Sequence, residues 1–238
     1  HGGLRPAAPM HVQLFNRHDD FAVRTAGLPG VLTNALGVCF GRVVAMVSPR
    51  ARTPGSFSWQ ETLWHELAHV VTLQLSNQRV PRWLTEGISV YEERRARAGW
   101  GREGELPFVQ ALAAGTALPL GELEGGFMRP DTIGLAYYEA SLLVEHIERH
   151  EGLDAIRRML AAYGEGLATP VVVERVLGMN LDALDARFFD DMRARYAPLM
   201  RALAPGGAPG TLAALLAMGD TLAADGDPAG ARAAYEEA

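Results

Sequence analysis

Residues 58–75, SWQETLWHELAHVVTLQL, carry the pattern that decides the fold. Ser58, with Glu61 three positions later, matches a capping box, which marks the start of a helix. Apolar side chains then recur at helical spacing: Trp64, Leu67, Val70 and Val71. We therefore predict a helix that begins after Ser58 and ends at about Leu75.

Inside this helix, His65-Glu66-Leu67-Ala68-His69 matches the H-E-x-x-H pattern. Residues four apart lie on the same face of a helix, so His65 and His69 can share one Zn²⁺ as two corners of a tetrahedron. Glu66 would then project beside the metal, where it can accept a proton from a zinc-bound water. The motif also occurs by chance, so a third ligand is needed to support it.

A second segment offers that ligand. Pro81-Arg82-Trp83-Leu84-Thr85-Glu86-Gly87 indicates another helix, opening at Pro81. A catalytic zinc takes three protein ligands and keeps one position for water. The 16 residues between His69 and Glu86 hold the end of the first helix, a turn and one turn of the second. A helical hairpin of this kind would bring Glu86 back to the metal.

The two motifs resemble those of the gluzincins, above all the aminopeptidase N family, which has W-L-N-E-G where this chain has Trp83 to Gly87. The resemblance covers residues 10–195. It implies an α+β, zincin-like metallopeptidase domain with a small N-terminal sheet, an active-site helix pair and a helical C-terminal half. It also implies a peptide or protein substrate and bound Zn²⁺, with His65, His69 and Glu86 as metal ligands and Glu66 as general base.

A third similarity concerns the Y-E-K-G stretch that carries the catalytic tyrosine of that family. The counterpart here is Tyr138-Glu139-Ala140-Ser141, near the start of an amphipathic helix predicted over residues 135–149. By resemblance, Tyr138 would donate a hydrogen bond to the oxyanion of the tetrahedral intermediate. Tyr137 is the alternative, and Tyr138 as a plain core aromatic also stays open.

The chain departs from the family in one segment. The G-x-M-E-N motif, whose Glu holds the free amino terminus of the substrate, corresponds to Gly41–Val47 (GRVVAMV), which has no carboxylate. An endopeptidase is therefore favoured over an aminopeptidase. We expect the strand at Arg42 to Met46 to pair with an extended peptide as an added strand. The closer resemblance is to compact bacterial peptidase MA-like domains, which are often joined to tetratricopeptide repeats.

The linker at residues 204–210, APGGAPG, divides the chain into a metallopeptidase domain, 1–203, and a C-terminal unit, 211–238. The second unit resembles a tetratricopeptide-like helical hairpin in the spacing of Gly226-Asp227, Ala231, Tyr235 and Ala238. One repeat cannot bury its own face, so it caps the main domain or begins a longer array. A repeat also suggests a protein partner. The competing interpretation is thus a weakly active or inactive zinc-domain scaffold that binds proteins.

Composition narrows the function classes. The net charge of −6 argues against nucleic acid as a partner. The sequence contains no run of eighteen apolar residues, so it predicts no membrane span. All 22 cationic residues are Arg, which indicates a GC-rich bacterial genome rather than a function. The sequence does not indicate whether the protein is cytoplasmic or exported.

The remaining candidates have plainer interpretations. Cys39 stands alone in an apolar run and is expected to be a small buried hydrophobe. His146 and His150 are four apart but lack a following Glu, so we interpret them as a solvated helix end. Glu92-Glu93-Arg94-Arg95 is most simply an exposed, salt-bridged helix face. Glu92 or Glu93 would instead orient a zinc-bound imidazole, and the sequence does not choose between them.

Overall fold

The computed structural model describes residues 9–26, 35–203 and seven positions of the C-terminal unit (218, 219, 221, 222, 227, 230 and 231). Three strands lie near the start: β1 (His11–Phe15), β2 (Gly37–Cys39) and β3 (Val43–Val47). Nine α-helices are found within the described ranges: α1 (His18–Ala26), α2 (Trp59–Leu75), α3 (Arg82–Ala96), α4 (Glu105–Ala114), α5 (Leu120–Gly126), α6 (Ile133–Glu151), α7 (Leu153–Gly164), α8 (Thr169–Leu177) and α9 (Leu181–Ala202). The predicted α+β class is confirmed, with a small N-terminal sheet and a helical remainder.

The sheet has the order β1-β3-β2, so β3 is its central strand. β1 pairs with β3 in parallel, and β2 pairs with β3 antiparallel with Gly37 opposite Met46. The expectation that the strand at Arg42 to Met46 receives a peptide is therefore wrong, because both of its edges are already paired. Among the described strands, β2 is the edge strand on the side of α2.

Helices α2 and α3 form the predicted hairpin. The Ser58 hydroxyl accepts a hydrogen bond from the Glu61 amide at 3.3 Å, which caps α2. The turn after α2 uses two residues with positive φ, Asn77 at 49° and Gln78 at 64°. The first amides of α3 donate to the carboxylate of Glu124 from α5. These contacts fix the angle at which α3 returns along α2.

Helix α6 lies at the centre of the helical part and packs most extensively against α3. Gly87 of α3 makes this close approach possible, because a Cβ at this position would lie 2.7 Å from the carbonyl oxygen of Ala140. The main apolar core forms around the pair and includes Trp83, Phe108 and Tyr196. The core therefore holds α3, and with it Glu86, in a fixed position.

The boundary at 204–210 and most of the unit at 211–238 lie outside the described residues, so the division into two units stays a prediction. Of the described C-terminal positions, Asp227 pairs with Arg102, with 2.8 Å between Oδ2 and Nε. Met218 packs against the main core. In the part of the chain that the structure describes, no helix is long and apolar enough to cross a membrane.

Candidate metal centre

Three potential ligand atoms converge where α2 faces α3. His65 Nε2 lies 3.1 Å from Glu86 Oε2, and His69 Nε2 lies 3.2 Å from the same oxygen. All three residues offer atoms within 4.8 Å of one another. The two imidazoles lie one helical turn apart, and the α2–α3 hairpin brings the carboxylate to them. The structure thus groups the three residues that the sequence nominates as ligands.

The spacing of these atoms fits a metal ion. Tetrahedral zinc, with bonds of about 2.0–2.1 Å, places neighbouring ligand atoms about 3.3 Å apart. The two separations from Glu86 Oε2, 3.1 and 3.2 Å, are close to this value. Two imidazoles and one carboxylate are also a ligand set of the kind that catalytic zinc sites use, in which a fourth position is kept for water.

The electrostatics of the site favour a positive charge. Burial opposes protonation of His65, but hydrogen bonds to Glu86 and Glu93 outweigh it and raise the pKa of His65 to about 10. Burial also opposes ionisation of Glu86, yet its contacts with His65 and His69 hold the pKa of this carboxyl well below its usual range. A proton or a metal cation can supply the charge.

A further set of contacts orients both imidazoles. His65 Nδ1 lies 2.6 Å from Glu93 Oε1, and His69 Nδ1 lies 2.7 Å from the hydroxyl of Thr85. With Nδ1 engaged, the Nε2 atoms face Glu86, which is how outer partners orient metal-bound histidines. Of the two acids that the sequence left open, Glu93 has this position, whereas the carboxylate of Glu92 pairs with Arg95. Both glutamates are buried, so the expectation of an exposed helix face is wrong at these two positions.

Glu66 lies beside the group and is only 6% exposed. Its Oε2 has no hydrogen-bond partner among the described residues. Burial raises the pKa of Glu66, against the pull of His69 and His65. Gly37 of β2 makes room for this side chain, because a Cβ there would lie 2.7 Å from Glu66 Oε1. A buried carboxyl oxygen without a partner costs free energy, and such groups concentrate at functional sites.

The structure does not bring Tyr138 to the group. This residue is 1% exposed, and its hydroxyl contacts that of Tyr196 at 3.2 Å in the core. Tyr137, the alternative, instead faces the site and donates a hydrogen bond to Glu86 Oε1 at 3.2 Å. Successive residues of a helix point about 100° apart, so the two hydroxyls reach different partners, and only that of Tyr137 contacts the ligand group.

Arg82 is a site residue that the sequence analysis missed. Its Nε lies 3.3 Å from Glu86 Oε1, and its Nη2 donates to the Tyr137 hydroxyl at 3.3 Å. Arg82 thus connects Glu86 and Tyr137 at the mouth of the site. The signal was its place four residues before Glu86, on the same face of α3.

The cleft continues on both sides of the ligand atoms. A cavity of about 350 Å³ extends along β2 and reaches Arg82. Another, of about 530 Å³, extends from His65 past Gly101 and Leu135. Cys39 lines the first cavity and is half-buried; burial raises the pKa of its thiol to about 11, so the thiol stays neutral.

A comparison with protein families places this arrangement in context. The family model described as Peptidase MA superfamily matches residues 33–194. The chain belongs to this superfamily. The matched range begins before β2 and includes both helices of the metal group and most of α9. A search of curated proteins and a search of solved structures gave no match.

Membership in the Peptidase MA superfamily makes residues 33–194 a metallopeptidase-like domain. Domains of this superfamily are typically metal-dependent, and the group formed by His65, His69 and Glu86 is suited to a metal. A peptidase domain also suggests a peptide substrate. The superfamily includes non-catalytic members, so activity has to be argued from the residues of this chain.

Proposed function

We propose that this protein is a zinc-dependent endopeptidase of the gluzincin type. His65, His69 and Glu86 hold the zinc ion, and Glu66 is the general base. The observation that carries the proposal is the Glu66 carboxyl, which is buried beside the three ligand atoms with one oxygen unpartnered within the described part of the chain. What matters is the position of the free oxygen: beside the ligand atoms it can accept a proton from a water at the open metal position.

Glu66 supplies the proton transfers. Bound zinc lowers the pKa of a coordinated water from its bulk value to about 7. Glu66 accepts a proton from the water that attacks the scissile carbonyl and then donates it to the leaving amine. Burial raises the pKa of Glu66. A raised pKa suits both steps, because a carboxyl with a pKa nearer to the working pH both accepts and donates a proton more readily.

Tyr137 is the proposed donor to the oxyanion. Burial raises the pKa of Tyr137 to about 12, so its hydroxyl keeps its proton at neutral pH. The hydroxyl lies at the ligand group, where it donates to Glu86 and accepts from Arg82. When substrate is bound, a small rotation would redirect this donor from the carboxylate to the carbonyl oxygen on which negative charge develops.

The substrate would bind as an added strand along β2. Phe40 donates to the carbonyl of Val43, and Val47 donates to that of Leu36, so the residues that flank β2 on both sides bond to β3. Because bonding to one neighbour alternates along an antiparallel strand, Gly37 and Cys39 are the residues that do not bond to β3. The backbone groups of Gly37 and Cys39 therefore point outward, where an extended peptide can pair with them. Because the cleft continues past the ligand group on both sides, a peptide can extend in both directions, as an endopeptidase requires.

Replacing Glu66 with Gln tests the proposal. The Glu66→Gln variant should keep its zinc but hydrolyse an unfolded protein such as casein about 10²- to 10⁴-fold more slowly, the usual contribution of a general base. Glu92→Gln is the matched control, since Glu92 is buried on the adjacent helix but pairs with Arg95. The control should retain activity. Unchanged hydrolysis by Glu66→Gln would contradict the assignment.

The second candidate function is a weakly active or inactive scaffold that binds partner proteins through the C-terminal unit. Asp227 of the C-terminal unit pairs with Arg102, and the residues on either side of Arg102, Gly101 and Glu103, line the cleft. This contact joins the C-terminal unit to the domain beside the cleft, which favours the scaffold function. A scaffold would show no chelator-sensitive hydrolysis of casein in the wild-type protein. Since Glu66 is retained beside a complete ligand group, we favour the enzyme.

A further inference from the structure

A second group of metal-binding side chains lies away from the cleft. His146 and His150, one turn apart on α6, face Asp191 of α9. Asp191 Oδ2 lies 2.8 Å from His146 Nδ1 and 2.7 Å from His150 Nε2. Like the first group, the three residues offer atoms within 4.8 Å of one another.

His146 is the unusual member of this group. The expectation that it belongs to a solvated helix end is wrong, because His146 is only 2% exposed and packs against the ring of Phe188. Neither ring nitrogen has a hydrogen bond of good geometry within the described residues, although Asp191 lies close to Nδ1. Burying an imidazole in this way costs free energy unless another partner engages it.

We propose that His146, His150 and Asp191 form a second metal site, for Zn²⁺ or a similar divalent transition metal. Imidazole and carboxylate ligands suit such ions, and a metal at Nδ1 would engage the buried ring of His146. The separations of 2.7 and 2.8 Å are about half an ångström shorter than those around tetrahedral zinc. His150 and Asp191 are partly exposed, so their side chains can move apart by this amount, and water can complete the coordination.

The surroundings allow a cation at this place. The arginine whose charge acts on His146, Arg187 of α9, pairs with Glu151 at 3.3 Å, which offsets its charge. A metal here would join the C-terminal end of α6 to α9 across the core. Tyr137 lies nine residues earlier on α6, about 13 Å along the helix axis, so the site is separate from the cleft. Its role is therefore to fix α9 against α6.

Zinc stoichiometry tests the second site. Metal-free protein is dialysed against micromolar ZnCl₂, and the bound zinc per chain is measured by mass spectrometry. The wild type should bind two ions, and Asp191→Asn should bind one. Asp190→Asn is the matched control: Asp190 is adjacent on α9 but strongly exposed, and this variant should still bind two. His150→Ala, at a partly exposed position, should repeat the loss if Asp191→Asn folds poorly.

A variant of the first group separates the two proposals. With His65 and His69 both replaced by Ala, one zinc should remain, and adding Asp191→Asn should remove it. If the wild type and Asp191→Asn bind the same number of ions and the His65/His69 variant binds none, the second site does not exist and the catalytic centre stands. If the His65/His69 variant binds as much as the wild type while Asp191→Asn loses an ion, the second site stands and the catalytic centre fails.

Discussion

At the scale of single residues, Tyr137 and Tyr138 differ sharply although they are neighbours on α6. The hydroxyl of Tyr137 contacts Glu86 and Arg82 in the cleft. The hydroxyl of Tyr138 contacts Tyr196 in the core. The two side chains therefore allow the proposed catalytic and structural roles to be separated with a single deleted oxygen atom at each position.

Phenylalanine should affect catalysis at position 137 and stability at position 138. Tyr137→Phe should lower kcat about 10²- to 10³-fold with little change in zinc content, because it removes one oxyanion donor. Tyr138→Phe should leave kcat unchanged and lower the free energy of unfolding by about 1 kcal/mol, the usual effect of losing one buried hydrogen bond. Steady-state kinetics and urea unfolding measure both effects. A fall in kcat caused by Tyr138→Phe alone would restore the original assignment of Tyr138.

The residues of the ligand group could be identified from the sequence because their geometry is local. His65 and His69 are fixed by the spacing of one helix, and Glu86 lies one hairpin away. The distinction between Tyr137 and Tyr138, or between Glu92 and Glu93, depends on how each helix is rotated in the assembled core. That rotation is set by contacts between distant segments and is not encoded in any short motif. The role of Gly37 beside Glu66 was missed for the same reason.

At the scale of secondary-structure elements, the crossing of α3 and α6 positions the site, because α3 carries Glu86 and α6 carries Tyr137. Gly87 allows the two helices to approach at this crossing. A side chain there would meet backbone atoms of Ala140 rather than a flexible side chain, so the helices themselves would have to move apart.

Alanine at Gly87 should therefore destabilise the protein. We expect Gly87→Ala to lower the free energy of unfolding by about 1–3 kcal/mol, the typical cost of overpacking. Gly134→Ala is the matched control, since Gly134 lies in α6 with nothing within 4 Å of an added Cβ. The control should be neutral or stabilising by up to about 1 kcal/mol, because alanine favours helix. Equal unfolding midpoints in urea for both variants would show that the crossing is not tightly packed.

The helices were easier to predict than the sheet. Asn180 caps α9 with its side chain, which accepts a hydrogen bond from the Ala183 amide at 2.9 Å, and asparagine is among the preferred N-cap residues. Strand order was not predictable, because β1 and β2 flank β3 through pairings between separate segments. For that reason the sequence points to β3, the central strand, as the peptide-binding strand, whereas β2 at the edge of the sheet is the strand that can pair with a peptide.

At the scale of the whole molecule, a buried acid makes stability depend on pH. Glu139 of α6 is 1% exposed, and its Oε1 has no hydrogen-bond partner in the described ranges. Burial raises the pKa of Glu139 to about 8, against a hydrogen bond from the Leu118 amide that lowers it; the charge of Asp185 adds to the increase. In the unfolded chain the pKa returns to about 4.3.

Between these two pKa values the folded protein binds the proton and the unfolded chain does not, so stability falls as pH rises from about 4.3 to 8. The contribution of Glu139 is at most about 1.4 kcal/mol per pH unit. Glu139→Gln should remove this decline and gain stability relative to the wild type as pH rises, as measured by urea unfolding from pH 5 to 8. Glu122→Gln, at an exposed position, should follow the wild type. Parallel curves for Glu139→Gln and the wild type would refute the assigned cause.

The proposed peptidase depends on His65, His69 and Glu86 holding one metal ion with room for water. Anomalous diffraction at the zinc absorption edge, from crystals grown with zinc, would show whether they do. We predict a peak about 2.0–2.2 Å from Nε2 of both histidines and from a carboxylate oxygen of Glu86, with a free position facing the cleft. Crystals with ample zinc but no peak between these three side chains would contradict the account.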